Sequence, residues 1–251
     1  MMSGLRHEAK KFKEKRSLKY SEKLFTTVIK YAVFCYQHLI KDNEDKETAV
    51  PPYSMSWCRE YTRFKFEDYL KTEFVDNYLQ TQKKSFADPK INHLAFQYET
   101  QKTYKQEGIK ASDKIDIFVS NLGLQQYWSK AKEEDIYFAI ECKRLKNTAK
   151  NKAYISDIQK FVKREYKFRF PFNGMIGFVE KGSKPIDKII DDINQKLKTH
   201  KIVATTKELT QFAVNDDFKY CRISNHRKKT SNTNSIIIYH LFFDYSEIII
   251  D

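Results

Sequence analysis

Two segments near the middle of the chain alternate hydrophobic and polar positions, which is the pattern typical of β-strands. In residues 135–145 the alternate positions from Ile136 to Cys142 are apolar and would share one face of a strand. Glu141 and Lys143 would then point together from the opposite face. Charges inside an otherwise apolar strand need a physical reason, and this segment therefore contains the first candidate site residues.

The second segment, residues 114–120, contains one acidic residue among apolar side chains. Ile115, Ile117 and Val119 are predicted to share the core face, so Asp116 would project from the other face. If the two strands pair, Asp116 converges with Glu141 and Lys143. Two carboxylates could hold Mg²⁺, which prefers oxygen ligands, with the ammonium of Lys143 beside it. A salt bridge between Asp116 and Lys143 on a solvated sheet face is the alternative.

Helical periodicity and further alternation predict the remaining elements. Helices are expected over residues 21–41, 57–80, about 155–166, and from Pro185 onward, with strands over 93–100, 173–179 and 235–245. Residues 42–52, which end in two prolines, are expected to form a loop, and residues 121–134 a long connection. The order helix, three strands, helix, strand predicts an α/β protein with a central mixed sheet flanked by helices.

Asp116 followed by Glu141-Cys142-Lys143 resembles the PD-(D/E)XK nuclease superfamily, which has the restriction-endonuclease-like fold. The predicted α-β-β-β-α-β order, over about residues 56–180, is that of its common core. The segment Ile-Glu-Cys-Lys-Arg-Leu is similar to those of restriction-like endonucleases of bacteria and their mobile elements. Ile115 stands where the family often has proline. The resemblance implies that Asp116, Glu141 and the Cys142 backbone carbonyl bind Mg²⁺, or Mn²⁺ in its place, and that Lys143 helps to activate water.

The resemblance also implies a glutamate near the metal on the helix that precedes the sheet. Glu67 falls on the inward-facing stripe of the helix predicted over residues 57–80, and Glu60, one heptad earlier, is the alternative. Glu99, at the end of the first predicted strand, is either a further acidic group near the site or a turn carboxylate. Glu67 is therefore a predicted metal ligand, with Glu60 left open.

The chain carries 46 lysines and arginines against 33 acids, a formal net charge of +13, which favours polyanionic partners. Basic clusters at residues 143–152 and 160–169 flank the predicted site. His226 and Arg227 are predicted to lie in a basic polar loop suited to phosphate contact, whereas His240 is predicted to be a structural residue of a buried strand. The candidate nucleic-acid contacts are Arg144, Gln159, Lys160, Lys163, His226 and Arg227.

Composition indicates an ordinary folded protein, with 41% hydrophobic and 31% charged residues. One domain is expected: a basic segment and covering helix in residues 1–50, the core, and additions comprising a helix and a strand in residues 181–251. We expect a cytoplasmic protein without membrane contact, because no segment has the length of a membrane span and residues 1–20 lack a signal-peptide hydrophobic region. The four cysteines lack zinc spacing and are predicted to be reduced, with Cys142 facing the core.

The function predicted from these features is that of a metal-dependent nuclease, with DNA favoured over RNA as substrate. The resemblance suggests a role in restriction or anti-phage defence. A non-catalytic nucleic-acid-binding protein on the same fold is the alternative, and it would be expected to lose the costly pair of carboxylates. Since one site cuts one strand, a homodimer is a further expectation for double-strand cleavage.

Overall fold

The structure is a computed structural model that describes residues 2–44, 53–106, 108–121, 137–146, 148–166, 169–229 and 235–251. Most of the predicted loop over 42–52 and of the predicted connection over 121–134 lies outside these residues. The helices are α1 (Met2–Asp42), α2 (Met55–Tyr61), α3 (Phe66–Phe74), α4 (Thr148–Lys163) and α5 (Ile186–Lys198). The strands are β1 (Leu94–Gln106), β2 (Ile109–Asn121), β3 (Tyr137–Leu145), β4 (Glu165–Tyr166), β5 (Arg169–Val179), β6 (Val203–Gln211), β7 (Cys221–Lys228) and β8 (Ile236–Asp244).

The strands form one mixed sheet in the order β4-β1-β2-β3-β5-β8-β7-β6. Its centre is parallel, since β5 pairs in parallel with both β3 and β8, and the other pairings are antiparallel. The predicted α/β class and the order helix, three strands, helix, strand are confirmed by α3, β1, β2, β3, α4 and β5. None of the described helices has the length and apolar character needed to span a membrane.

Two hydrophobic clusters hold the helices to the sheet. One joins α1, α2 and α3 to side chains such as Phe138, Ile140 and Cys142, and the other joins α4 and α5 to side chains such as Tyr137 and Ala139. Because neighbouring residues of β3 belong to different clusters, this strand is buried on both faces. All four cysteines are buried free thiols, as predicted, and Cys142 faces the core.

The prediction of a single helix over residues 57–80 is wrong. It is broken into α2 and α3, and α3 continues as one π-helical turn, Val75–Leu79. Thr62 ends α2: its hydroxyl donates to the Cys58 carbonyl at 2.7 Å and accepts from the Phe64 amide at 3.2 Å. A threonine hydroxyl that satisfies nearby backbone groups competes with helix continuation. The two candidate glutamates of that segment therefore lie on different helices.

The C-terminal part contains more strands than predicted. His226 and Arg227, predicted to lie in a loop, belong to β7, and β6 beside it was not predicted. The edge strand β6 has few buried positions, mainly Val203 and Leu209, so its sequence lacks a strong apolar alternation. Two smaller boundary predictions also change, since Tyr166 belongs to β4 rather than to a helix and β1 and β2 are longer than predicted.

A chain of buried hydrogen bonds connects α4 to β8, β7 and β6. The Tyr154 hydroxyl lies 2.9 Å from His240 Nδ1, and Ser224 Oγ lies 2.7 Å from Nε2 of both His240 and His226. His226 Nδ1 continues the chain to Thr205 Oγ1 at 3.1 Å. Because a hydroxyl carries one proton, Ser224 donates to one histidine and accepts from the other, so the two neutral rings adopt opposite tautomers. The prediction that His240 is structural agrees with this network.

The two histidines make stability pH-dependent. Burial lowers the pKa of His226 to about 4 and lowers that of His240 well below its usual range. In the unfolded chain both histidines titrate near pH 6.5, so below that pH the unfolded chain binds more protons than the folded chain. We therefore expect the unfolding free energy to fall as pH drops from about 6.5 toward 4. The slope is about 1.4 kcal/mol per pH unit for each histidine. Urea unfolding between pH 4.5 and 7.5 measures it, and His226→Gln should show a shallower dependence; equal slopes would contradict the assignment.

Candidate functional site

The candidate site lies where β2 and β3 separate. Their backbone ladder runs from Ser120↔Tyr137 to Ile117↔Ile140. The next positions in this register are Asp116 and Glu141. There the Asp116 carboxylate takes the place of a backbone partner, because Oδ2 accepts a hydrogen bond from the Cys142 amide at 2.8 Å. The structure thus brings Asp116 and Glu141 side by side, as the strand register requires.

The pleat of β2 is interrupted at this point. Ile117 and Val119 pack with α1–α3, whereas Ile115 packs with α4 and α5, so the prediction that all three share one face is wrong. Glu99, which lies opposite Asp116 in the β1–β2 register, has φ 53°. A positive φ is uncommon for a residue other than glycine and is found disproportionately at functional sites. The distortion of the two strands therefore coincides with the candidate site.

The two carboxyl groups share a hydrogen bond and one proton. Glu141 is 8% exposed, and burial together with the negative charge of Asp116 and Asp157 raises its pKa well above the usual range. Burial also acts to raise the pKa of Asp116, but Lys71, the Cys142 amide and Lys143 lower it overall. Glu141 is therefore the protonated partner, and it donates to the charged Asp116. Both groups could be charged at once only with a further cation beside them, so a bound cation would take the place of the shared proton.

Lys143 lies between carboxylates from two helices. Its Nζ is 2.9 Å from Glu67 Oε1 on α3 and 3.3 Å from Asp157 Oδ2 on α4. Burial alone would lower the pKa of Lys143, but the charges of Asp157, Glu67 and Asp116 raise it overall. The ammonium therefore remains charged at neutral pH and can act as a hydrogen-bond donor.

Glu67 is oriented toward β3. Besides the Lys143 ammonium, its carboxylate accepts the Arg144 amide, with 3.0 Å between nitrogen and Oε2. Both oxygens are thus used to attach the first turn of α3 to β3. Glu60 is exposed on α2 and has no place in this cluster. Of the two glutamates left open by the sequence, the structure places Glu67 at the site, in contact with Lys143.

A buried lysine, Lys71 of α3, completes the cluster and was missed by the sequence reasoning. It is 1% exposed, and its Nζ lies 3.1 Å from Asp68 Oδ1, 3.1 Å from Asp116 Oδ1 and 3.4 Å from Glu99 Oε1. Burial acts to lower its pKa, but Asp116 and the neighbouring acids raise it. Its spacing of three residues before Phe74 and four before Val75, both buried, was a signal of burial but not of its acidic partners. Lys71, and not Lys143, is the direct ion-pair partner of Asp116.

Helix α4 contributes an acid, Asp157, that was not predicted as a site residue. Asp157 is 1% exposed and pairs with Lys143 and, at 2.6 Å, with Lys160. Lys160, a predicted nucleic-acid contact, has a side chain 40% exposed at the rim of the cluster. Gln159 and Lys163 are partly exposed on the same helix. The predicted contacts on α4 therefore border the site.

Three other predicted nucleic-acid contacts are placed differently. Arg144 is paired with the buried carboxylate of Glu180 and lies over the Phe66 ring at 4.8 Å. These contacts use its guanidinium to hold the fold together. His226 is fully buried in β7, so the prediction that it lies in a loop and contacts phosphate is wrong. Arg227 is exposed, but β7 is separated from β3 by β5 and β8. His226 and Arg227 thus do not share the site of Asp116 and Glu141.

The donor set fits Mg²⁺ by its chemistry. Within the described residues, no group of three or more histidine, cysteine, aspartate or glutamate side chains is arranged to hold a metal ion. Two carboxyl groups lie together instead, those of Asp116 and Glu141, and the resemblance adds the Cys142 carbonyl to them. Mg²⁺ is commonly held by one or two carboxylates, with waters and substrate phosphate completing its shell, whereas structural zinc needs four protein ligands.

No family model, curated protein or solved structure matches this chain.

Proposed function

We propose that this protein is a metal-dependent nuclease of the PD-(D/E)XK type that hydrolyses phosphodiester bonds, with DNA as the favoured substrate. The observation that carries the proposal is the contact between the Asp116 and Glu141 carboxyl groups at the separation of two strands, with the Lys143 ammonium beside them. Restriction or anti-phage defence is the role that the resemblance suggests for such an activity.

The neighbourhood of the carboxyl pair supports a catalytic site over a simple surface salt bridge. Asp116 is paired with Lys71, and Lys143 with Glu67 and Asp157, so the two catalytic candidates are positioned by separate sets of partners. In a buried place Glu141 and Asp116 stay in contact only if a proton or a cation is shared between them, and without a metal ion the proton serves. The pair is therefore a place where a cation can replace a proton, which a protein that only binds nucleic acid does not need.

The proposed roles follow from the contacts. Asp116, Glu141 and the Cys142 carbonyl would hold Mg²⁺, which supplies positive charge beside the phosphate and lowers the pKa of water. Lys143, held by Glu67 and Asp157, would orient the attacking water and stabilise the negative charge that develops on the phosphate. Lys160 at the rim would contact a neighbouring phosphate.

The test is incubation of the purified protein with supercoiled plasmid, linear DNA and RNA in Mg²⁺, Mn²⁺ or EDTA. We expect cleavage of DNA that requires the metal, and loss of cleavage in Glu141→Gln, which keeps the size and neutral form of the side chain. Mg²⁺ should also raise the melting temperature of the wild type and not that of the variant, because a ligand that binds only the folded state stabilises it. Wild-type cleavage by Glu141→Gln would contradict the proposal.

Direct linearisation of plasmid without a nicked intermediate would indicate a dimer.

A non-catalytic nucleic-acid-binding protein on the same fold is the second candidate. The net charge of +13 favours it, as does the lack of a third side-chain metal ligand among the described residues. DNA binding without cleavage and without any effect of Mg²⁺ on melting would support this candidate and exclude the nuclease.

A further inference from the structure

The first two strands form a ribbon that extends beyond β3. β1 and β2 pair from Leu94↔Asn121 to Gln106↔Ile109, whereas β3 pairs with β2 only from Ile117 to Ser120. Residues 100–106 and 109–115 therefore form a two-stranded ribbon, which β4 borders at Tyr104 and Lys105. The base of this ribbon is the pair of positions occupied by Glu99 and Asp116, so it begins at the candidate site.

The ribbon has two different faces. On one face Lys102 lies 4.6 Å from the Phe118 ring centroid, Arg164 lies 4.6 Å from that of Tyr104, and Arg164 pairs with Asp113. This face is attached to the body of the protein. The other face is exposed and polar, and it contains Gln101, Thr103, Lys105, Lys110, Ser112 and Lys114. Asp113 is the one acid among the described ribbon residues, and it lies on the attached face.

Two lysines of the exposed face weaken the pairing of β1 with β2. Lys105 and Lys110 are directly opposite each other in the register, and like charges in that position weaken a strand pair. Lysines protect exposed strand edges from aggregation, but that role does not require them to face each other. The face continues into the site, because Lys114 Nζ contacts Glu99 Oε2 at 2.7 Å and Glu99 shares Lys71 with Asp116.

We propose that the exposed face of this ribbon binds the backbone of double-stranded DNA and directs it to Asp116 and Glu141. Lysine, serine, threonine and glutamine are the side chains that commonly contact phosphates, and a two-stranded ribbon fits the major groove of B-form DNA. From Asp116 to Lys110 is six residues, about 20 Å at about 3.4 Å per residue, which spans about six base pairs. The face has no aromatic side chain on which unpaired bases could stack, and the deep, narrow groove of RNA duplexes excludes such a ribbon.

This inference rests on the proposed function, since it names the substrate of the same site, but its test is independent of cleavage. Binding of a 20-base-pair duplex is measured by fluorescence anisotropy in EDTA at several salt concentrations. We expect the double variant Lys105→Gln/Lys110→Gln to bind about tenfold or more weakly and to lose about 1.8 from the slope of log affinity against log salt, for two phosphate contacts. The matched control is Lys201→Gln/Lys207→Gln, which removes the same charge near and within β6, at the opposite edge of the sheet.

Equal losses in both double variants, or no loss in the ribbon variant, would overturn the inference. Preferential binding of single-stranded DNA or of duplex RNA would overturn the choice of duplex DNA. Binding through the ribbon lysines without any cleavage in Mg²⁺ would leave this inference standing and remove the proposed function. Metal-dependent cleavage with binding that does not change when Lys105 and Lys110 are replaced would overturn this inference and leave the proposed function standing.

Discussion

Lys143→Ala is expected to lower the single-turnover rate of DNA cleavage by about 100-fold or more at saturating DNA, the effect of removing one well-placed donor from a transition state. The reason is that Lys143 is a charged donor held in position by Glu67 and Asp157 beside the carboxyl pair. The variant also leaves the buried Asp157 with one ammonium partner instead of two, so its melting temperature should fall. The rate is therefore measured well below the melting transition, by gel analysis of a labelled duplex.

The matched control is Lys160→Ala, which removes the other ammonium from the same Asp157 carboxylate. Because Lys160 is at the rim, its loss should raise the DNA concentration needed for half-maximal rate and leave the rate at saturation nearly unchanged. If both variants lose the same fraction of the saturated rate, Lys143 has no special role, and the assignment of Lys143 fails.

Lys71→Met is expected to lower the free energy of unfolding by about 3 kcal/mol at pH 7, because removing one partner of a buried ion pair leaves the other charge uncompensated. Lys71 is almost fully buried and is shared by Asp68, Glu99 and Asp116. These partners are partly exposed, which places the expected loss at the lower end of the range for buried pairs. Urea unfolding at constant salt measures the change.

A surface lysine supplies the comparison. Lys196→Met breaks an ion pair with Asp192 one helical turn away on α5, and it should cost less than about 1 kcal/mol. Adding Asp116→Asn to Lys71→Met should recover part of the loss, since it removes the charge left without a partner. Similar small losses for Lys71→Met and Lys196→Met would show that Lys71 does not hold Asp116.

The positions of the site residues were accessible from the sequence because the alternation between the two faces of β3 is regular, although the pleat of β2 is interrupted. Alternation placed Glu141 and Lys143 on one face and Asp116 on the neighbouring strand, and the register of β2 and β3 does bring the two acids together. Lys71 was not accessible in the same way. A lysine on a helix is usually solvated, and only the three-dimensional arrangement shows that this ammonium meets acids from β1 and β2.

The errors in the fold prediction have local physical causes. A hydroxyl of Thr62 ends a helix that periodicity would continue, and no apolar pattern marks this break. The polar character of His226 and Arg227 predicts a loop, whereas Ser224 and His226 are buried and hydrogen-bond to each other, to β8 and to β6. Polar residues that satisfy one another inside a sheet cannot be distinguished from surface residues by hydrophobicity alone.

The place of β8 in the strand order has a consequence for how the chain folds. β8 is an interior strand between β5 and β7, although it is formed by residues 236–244. The Tyr36 ring of α1 stacks on Phe243 of the same strand at 4.2 Å, so a helix from the opposite end of the described chain also depends on it. A hairpin of β1 and β2 can form early from local contacts. The centre of the sheet forms only when strands distant in sequence, such as β5 and β8, pair. The pairing of β8 with β5 is therefore expected to follow the formation of the β1–β2 hairpin.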